Sequence, residues 1–116
     1  MALVDPTQQL LETAMRGAWQ RQTALTGNIA NADTPGYQRK DVDFESTLSA
    51  AMSSGEPLSE VQFQVESEPQ SVGPNGESIS LDEESAQLAQ NGLDYQALTQ
   101  VLGARNQIVR SAIGLP

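Results

Sequence analysis

Between Asp41 and Glu84 the chain carries eleven acidic residues and no basic one. Residues 1–40 and 85–116 each sum to +1, so the formal net charge of −9 arises entirely in the middle. The same stretch holds Gly55, Pro57, Pro69, Gly73, Pro74, Gly76 and many serines. Like charges with no partner resist burial, and Pro and Gly interrupt both regular periods, so a solvated, mobile segment is expected there. Regular structure must then come from the two near-neutral ends. The chain divides into an N-terminal helix (1–32), a turn and extension (33–52), an acidic flexible middle (53–80) and a C-terminal helix (81–116).

The first end reads as a helix over residues 6–31. Asp5 is expected as N-cap and Pro6 at the first helical position, where a missing N–H leaves no bond unmade. Val4, Leu11, Ala18, Leu25 and Ala32 recur every seven residues, and Gln8, Met15, Gln22 and Ile29 form a second set offset from it. The two sets alternate by three and four, which is a heptad seam. Gln at half of the second set weakens that seam, since polar seam residues set register at a cost in stability. Trp19 lies at the seam's edge, where a core or interface contact is expected.

The other end reads as a helix over residues 81–113. Ser80 and Glu83 have capping-box spacing. Asp82, Glu83 and Glu84 suit the positive end of the helix dipole, and Arg105 and Arg110 the negative end. Leu88, Tyr95, Leu98, Val101, Leu102, Ile108, Val109, Ala112 and Ile113 form a broad apolar stripe, and Gly114 and Pro116 stop the helix. The predicted fold is mainly α. Its two long terminal helices pair as an α-helical hairpin or coiled coil, with a loop-rich middle that holds a short β-hairpin. In it Leu11, Met15, Ala18, Leu25 and Ile29 meet Leu98, Leu102, Val109 and Ala112 of the same or an adjacent chain.

Gly17, Gly27, Gly92 and Gly103 fall inside these helices, each costing about 1 kcal/mol relative to Ala. Against a whole-domain stability of about 5–15 kcal/mol this is substantial. Either the weakness is tolerated, or the glycines admit close packing against other helices; in both cases the isolated chain is marginally helical. In the middle, Val61-Gln62-Phe63-Gln64-Val65 alternates strictly and is expected as a short strand. It is expected to pair with Ser78-Ile79-Ser80 through a turn at Pro74-Asn75-Gly76. A lone hairpin is marginal in water, so the helices must support it.

Composition narrows the chemistry. With no Cys and no His there is no disulfide, no thiolate or imidazole metal ligand, and no Ser-His-Asp triad. A pI near 4.1 argues against nucleic acid, because no basic patch exists to release phosphate counterions. Asp41, Asp43 and Glu45 look like the opening of a calcium loop, but Ser46 stands where that loop needs Gly and Met52 where it needs an acid. Lys40, the sole lysine, sits beside Arg39 and Asp41 and reads as a surface charge. Paired carboxylates have no cleft or aromatic platform to hold a sugar. No catalytic residue, metal, cofactor or small-molecule substrate is expected. Neither a membrane span nor a cleavable signal peptide is legible, so any route out of the cytoplasm is expected to need no such signal.

The stretch from Asn28 to Phe44 reads as a helix stop followed by a tight turn. Asn31 is expected in the left-handed conformation that ends a helix. Pro35 and Gly36 fit the central positions of a type II turn, with Gly36 at positive φ. Tyr37 and Phe44, two of only five aromatics, are expected to anchor the returning segment on the first helix. The run Asn28-Ile29-Ala30-Asn31-Ala32-Asp33-Thr34-Pro35-Gly36-Tyr37 resembles the signature of bacterial flagellar basal-body rod and hook proteins. The continuation from Gln38 to Phe44, and the stretches Leu88–Leu98 and Ile108–Gly114, are similar to proximal-rod members of that family.

The resemblance implies a structural subunit of the basal-body rod, part drive shaft and part export channel. Members pair their N- and C-terminal helices into a coiled-coil layer of a tubular filament, and their ends are often disordered before assembly. It implies export by the flagellar type III apparatus without a cleaved signal, and a place in the basal body within the periplasmic space. The implied partners are other rod subunits, the rod–MS-ring junction protein and the export gate. Such subunits carry a Phe-x-x-x-apolar element read by that gate. Phe44-Glu45-Ser46-Thr47-Leu48 fits it, although Phe44 also fits as a plain apolar anchor. Two other readings stay open. One is a soluble helical adaptor or chaperone-like binding module, resting on the C-terminal apolar stripe. The other is a sister rod protein of the same family.

Overall fold

The computed structural model describes residues 6–68 and 80–114. In chain order the described elements are α1 (Pro6–Ala30), β1 (Lys40–Val42), α2 (Phe44–Ser54), one 3-10 turn (Leu58–Glu60), β2 (Val65–Ser67) and α3 (Leu81–Ala112). The molecule is long and flat, 61 × 31 × 16 Å. The expected Asp5 cap, the turn at Pro74-Asn75-Gly76, Ser78-Ile79 and Pro116 lie outside the described residues.

The two long helices pair antiparallel. Asn28 meets Glu84 near one end, Gln22 and the Ala18 carbonyl meet Asn91, and Gln8 meets Asn106 at the other. On α1 the seam positions Gln8, Leu11, Met15, Ala18, Gln22, Leu25 and Ile29 are buried or half-buried. On α3 the covered positions are Glu84, Leu88, Asn91, Tyr95, Leu98, Leu102, Arg105 and Val109. Their spacing alternates by four and three, so both helices present heptad seams. Only part of the expected α3 stripe enters this seam, because Val101, Ile108 and Ile113 fall on another flank and are exposed. Ser80 caps α3 as expected, its hydroxyl accepting the Glu83 N–H at 3.4 Å. Beyond the last turn, Gly114 takes a φ of 78°.

The middle packs against α1 and also borders α3, along a groove shared by the three helices. Ala24, Val42, Ala51, Val61 and Phe63 form its core, joined by Phe44, Leu48 and Leu58. Helix α2 was not expected. Phe44, Leu48 and Ala51 recur at i, i+4 and i+7 and turn one face to this core. Gly55, at φ 75°, closes the helix by donating its N–H to the Ala51 carbonyl.

The expected strand pairing is corrected. β2 begins where the alternating run ends and pairs antiparallel with β1, Lys40 opposite Ser67, Asp41 opposite Glu66 and Val42 opposite Val65. Ser80 serves as a helix cap and not as a strand residue. The alternation of the run holds in burial over its first four residues, with Val61 and Phe63 inside and Gln62 and Gln64 outside, but Val65 is exposed. Ahead of the strand the backbone is held by side chains of α1: Arg16 Nη2 donates to the Val61 carbonyl at 2.8 Å, and Thr13 Oγ1 to the Leu58 carbonyl of the 3-10 turn at 3.0 Å.

Candidate functional site

The signature turn is built from the last residues of α1 outward. Asn31 ends the helix, but not in a left-handed conformation: among the described residues only glycines have positive φ. Its backbone N–H and its side-chain Nδ2 both donate to the Gly27 carbonyl, at 3.0 and 2.9 Å. The side chain thus satisfies the terminal carbonyl that a left-handed cap would otherwise serve. Asn31 Oδ1 accepts from the Thr34 hydroxyl at 3.2 Å, holding the turn's first residue. Tyr37 N–H donates to the Thr34 carbonyl at 3.2 Å and Gly36 sits at φ 80°, the expected type II pattern around Pro35. Asp33 through Gly36 are exposed and Ala32 is half-buried. Tyr37 folds back over α1, where a Cβ on Gly27 would lie 3.3 Å from its hydroxyl.

Behind the turn lies a buried polar node. Asn28 is fully buried, at 0% exposure. Its Nδ2 donates to the Lys40 carbonyl at 2.8 Å and to Glu84 Oε2 at 3.1 Å, and its Oδ1 accepts the Lys40 N–H at 2.9 Å. One side chain therefore completes β1 as a neighbouring strand would and joins it to α3. Glu84 is only 2% exposed, and its other oxygen accepts from Arg39 Nε. Arg39 reaches Glu68 at 2.8 Å, Gln87 at 3.1 Å and Asp41 at 3.7 Å as well. Burial opposes the Arg39 charge, but the bond it donates to Glu84, with the charges of Glu84, Glu68 and Asp41 beside it, outweighs that and raises its pKa. A carboxylate this buried would be costly alone; the guanidinium and the Asn28 amide make it tolerable.

A second clamp ties α2 to α1. Arg21 holds Glu45 with two bonds, at 2.9 and 2.7 Å, and lies 5.3 Å from the centre of the Phe44 ring. The Arg21 bond lowers the Glu45 pKa and the same bond raises that of Arg21. Phe44 stacks on Phe63 at 5.3 Å, and its ring edge fills the place a Cβ on Gly17 would take. Close approach thus explains Gly17: the Phe44 ring at the start of α2, with Phe63 behind it, packs onto the helix there. Gly92 and Gly103 face open space. Leu48 packs against the same core.

The expected packing residues spread along the seam. Ala18 and Leu25 are buried; Leu11, Met15, Ile29, Leu98, Leu102 and Val109 are half-buried; Ala112 is exposed at the end of α3. Trp19 is 59% exposed and leans on Tyr95 at 6.0 Å. Between α1, α2 and α3 runs an apolar groove of about 540 Å³, walled by Leu10, Leu11, Ala14, Phe44, Leu48, Met52 and Leu98, with Arg21, Glu45 and Asp94 at its rim. Asp41, Asp43 and Glu45 do not converge. Asp41 accepts the Val42 N–H, Asp43 accepts from Ser46, and Glu45 is held by Arg21. Among the described residues no group of three acids could hold a metal, and no helix is long and apolar enough to cross a membrane. Sequence reasoning missed Arg39 and Glu84 as partners. The available signal was a charge at a seam position, four residues before Leu88.

The described features are thus a helical hairpin, a turn locked onto its end and an open apolar groove. The family model for flagella basal body rod proteins matches residues 11–38, from the second turn of α1 through the signature turn. Flagellar basal body rod protein FlgB of Bacillus subtilis (strain 168) is 33% identical over 97% of each chain. The proteins of the same name from Escherichia coli (strain K12) and Salmonella typhimurium are 30% and 31% identical, each over 88% of both chains. The chain belongs to the flagellar basal body rod protein family. It is a structural subunit of the rod, located in the flagellar basal body and associated with other rod components.

Proposed function

We propose that the chain is a subunit of the proximal rod that packs by coiled-coil contacts into a tubular layer, forming part of the drive shaft and of the export channel. The observation that carries this is the division of labour on α3. One flank makes a seam with α1 whose centre is polar, at Gln22 and Asn91. Another leaves Leu93, Val101 and Ile108 in solvent. A polar seam specifies register while contributing little burial, so further burial has to come from neighbouring subunits. The neighbours in this reading are other rod subunits and the rod–MS-ring junction protein. Leu102→Asp, placed in the seam, leaves the protein expressed but abolishes rod assembly and swarming; normal motility in that strain would contradict the reading.

The subunit reaches its place through the type III export gate, which reads Phe44 and Leu48. In the folded chain Phe44 is wedged between Gly17 and Phe63 and Leu48 lies against the core. The gate therefore engages the element before the middle has folded onto α1, and folding after export hides it. The similarity to rod proteins and the fit of the five-residue pattern support this reading.

A further inference from the structure

Only two residues of α3 are buried, Glu84 and Asn91, and both are polar. Its apolar residues all keep part of their surface in solvent. Hydrogen bonds therefore hold the helix on α1, and a contact with so little apolar burial opens at low cost. Asn91 stands at the centre of that hold, 4% exposed. Its Nδ2 donates to the Ala18 carbonyl at 2.8 Å and to Gln22 Oε1 at 2.9 Å, so both amide hydrogens go to acceptors on α1. Gly92 comes next in the chain. Glycine weakens a helix interior, and no close approach requires one here, since a Cβ at 92 would meet nothing within 4 Å. What the glycine does provide is an unshielded backbone nitrogen directly after an asparagine amide, on a residue whose backbone leaves the helical conformation readily.

We propose that Asn91-Gly92 is a site of spontaneous deamidation, that pairing of α3 with α1 silences it, and that its conversion disables the pairing. Once α3 leaves α1, Gly92 N forms a bond to Asn91 Cγ and the bond from Cγ to Nδ2 breaks. The Gly92 proton departs with Nδ2 as ammonia. Water then adds to either carbonyl carbon of the cyclic imide and opens it, leaving aspartate or isoaspartate at position 91. No oxidant or reductant takes part. In the paired helix the reaction is blocked at both atoms. The Gly92 N–H is committed to the carbonyl four residues back, and Nδ2 is anchored on Ala18 and Gln22. After conversion the side chain is a carboxylate, which only accepts. Gln22 can turn its amide to donate, but the Ala18 carbonyl then faces an anion. Arg21, the cation that lines the same groove, is already held by Glu45. The pairing thus protects the residue on which it depends, and a chain left unpaired loses the ability to pair.

The site belongs to the hairpin, so the purified full-length chain tests it. The chain is held in mildly alkaline buffer, with and without urea, then cleaved after glutamate, which separates Asn91 from Asn75, the other asparagine followed by glycine. Mass spectrometry reads the ammonia lost and the water gained at position 91. In urea the residue converts; in buffer alone it converts at least about ten-fold more slowly, the factor reporting how seldom α3 opens. No conversion in urea overturns the site, and equal rates overturn the silencing. Leu102→Asp, placed in the seam, removes most of that protection without urea; a variant as protected as the native chain would also overturn the silencing. Gly92→Ala keeps the seam contacts and slows conversion in urea at least about ten-fold; an undiminished rate overturns the role of Gly92. For the consequence, Asn91→Asp loses the nuclear Overhauser contact between the Trp19 and Tyr95 rings, 6.0 Å apart in the native chain, while Gly92→Ala keeps it. An Asn91→Asp chain that retains this contact overturns the claim that conversion disables pairing.

Discussion

Replacing Gly17 by alanine sets two effects of known sign against each other. In an open helix the change is favourable by about 1 kcal/mol, because alanine restricts the unfolded backbone. At position 17 the new methyl falls on the edge of the Phe44 ring and lies 3.0 Å from Phe63 Cε2. Phe44 has little freedom to yield: it is stacked on Phe63, lies beside the Arg21 guanidinium and opens α2. Overpacking such a contact costs about 1–3 kcal/mol, and sliding Phe44 toward the groove gives up about 0.5–1.5 kcal/mol of ring pairing. The net expectation for Gly17→Ala is a loss of about 0.5–3.5 kcal/mol. Gly103→Ala, where the added methyl meets nothing, isolates the helix term and stabilises by about 1 kcal/mol. Urea unfolding followed by far-UV circular dichroism measures both. A Gly17→Ala protein as stable as the native chain, or more so, would refute the claim that the signature extension is seated on this glycine.

Other expectations follow from the same contacts. Glu84→Ala strips Arg39 of its buried partner and lowers stability by about 3 kcal/mol in urea unfolding, whereas a loss below about 0.5 kcal/mol would mean the node is ornamental. Glu45 binds Arg21, so its folded pKa lies below the ordinary glutamate value; its contribution is present above the unfolded pKa and fades as pH falls through the folded one. Carbon-detected NMR titration should find that low midpoint, and Arg21→Met should return it to the ordinary range; an unmoved midpoint refutes the clamp. Phe44→Ala keeps the subunit in the cytoplasm, while Phe63→Ala, which removes the same stack but leaves the export element intact, is still exported. Equal export of the two variants would remove Phe44 from the gate's reading.

The features legible in the sequence were the local and periodic ones. Ser80 and Glu83 lie three residues apart, Pro35-Gly36 dictates its own turn, and the α1 heptads repeat within one element. What stayed hidden needed closure over distance. Arg39 and Glu84 are 45 residues apart and meet only after α3 folds back along α1. Val42 and Val65 are strand partners far apart in the chain, and β1 is held on α1 by Asn28, a contact with no local signal. Helix α2 was masked by its serines and by the acidic run around it, although Phe44, Leu48 and Ala51 share one face. Charge density alone predicted solvation for the whole middle. The structure instead turns the acids of residues 43–68 outward while Val42, Val61 and Phe63 go in, and it buries Glu84. Asn31 misled for a related reason, since its amide could end the helix without a left-handed backbone.

Quantitative mass spectrometry of hook–basal bodies purified from the native bacterium decides whether this chain is a built-in part of the rod. The chain should be found in every preparation, at a fixed copy number of a few per basal body and resistant to washing. Its absence from basal bodies that are otherwise complete would mean that it is not a rod subunit.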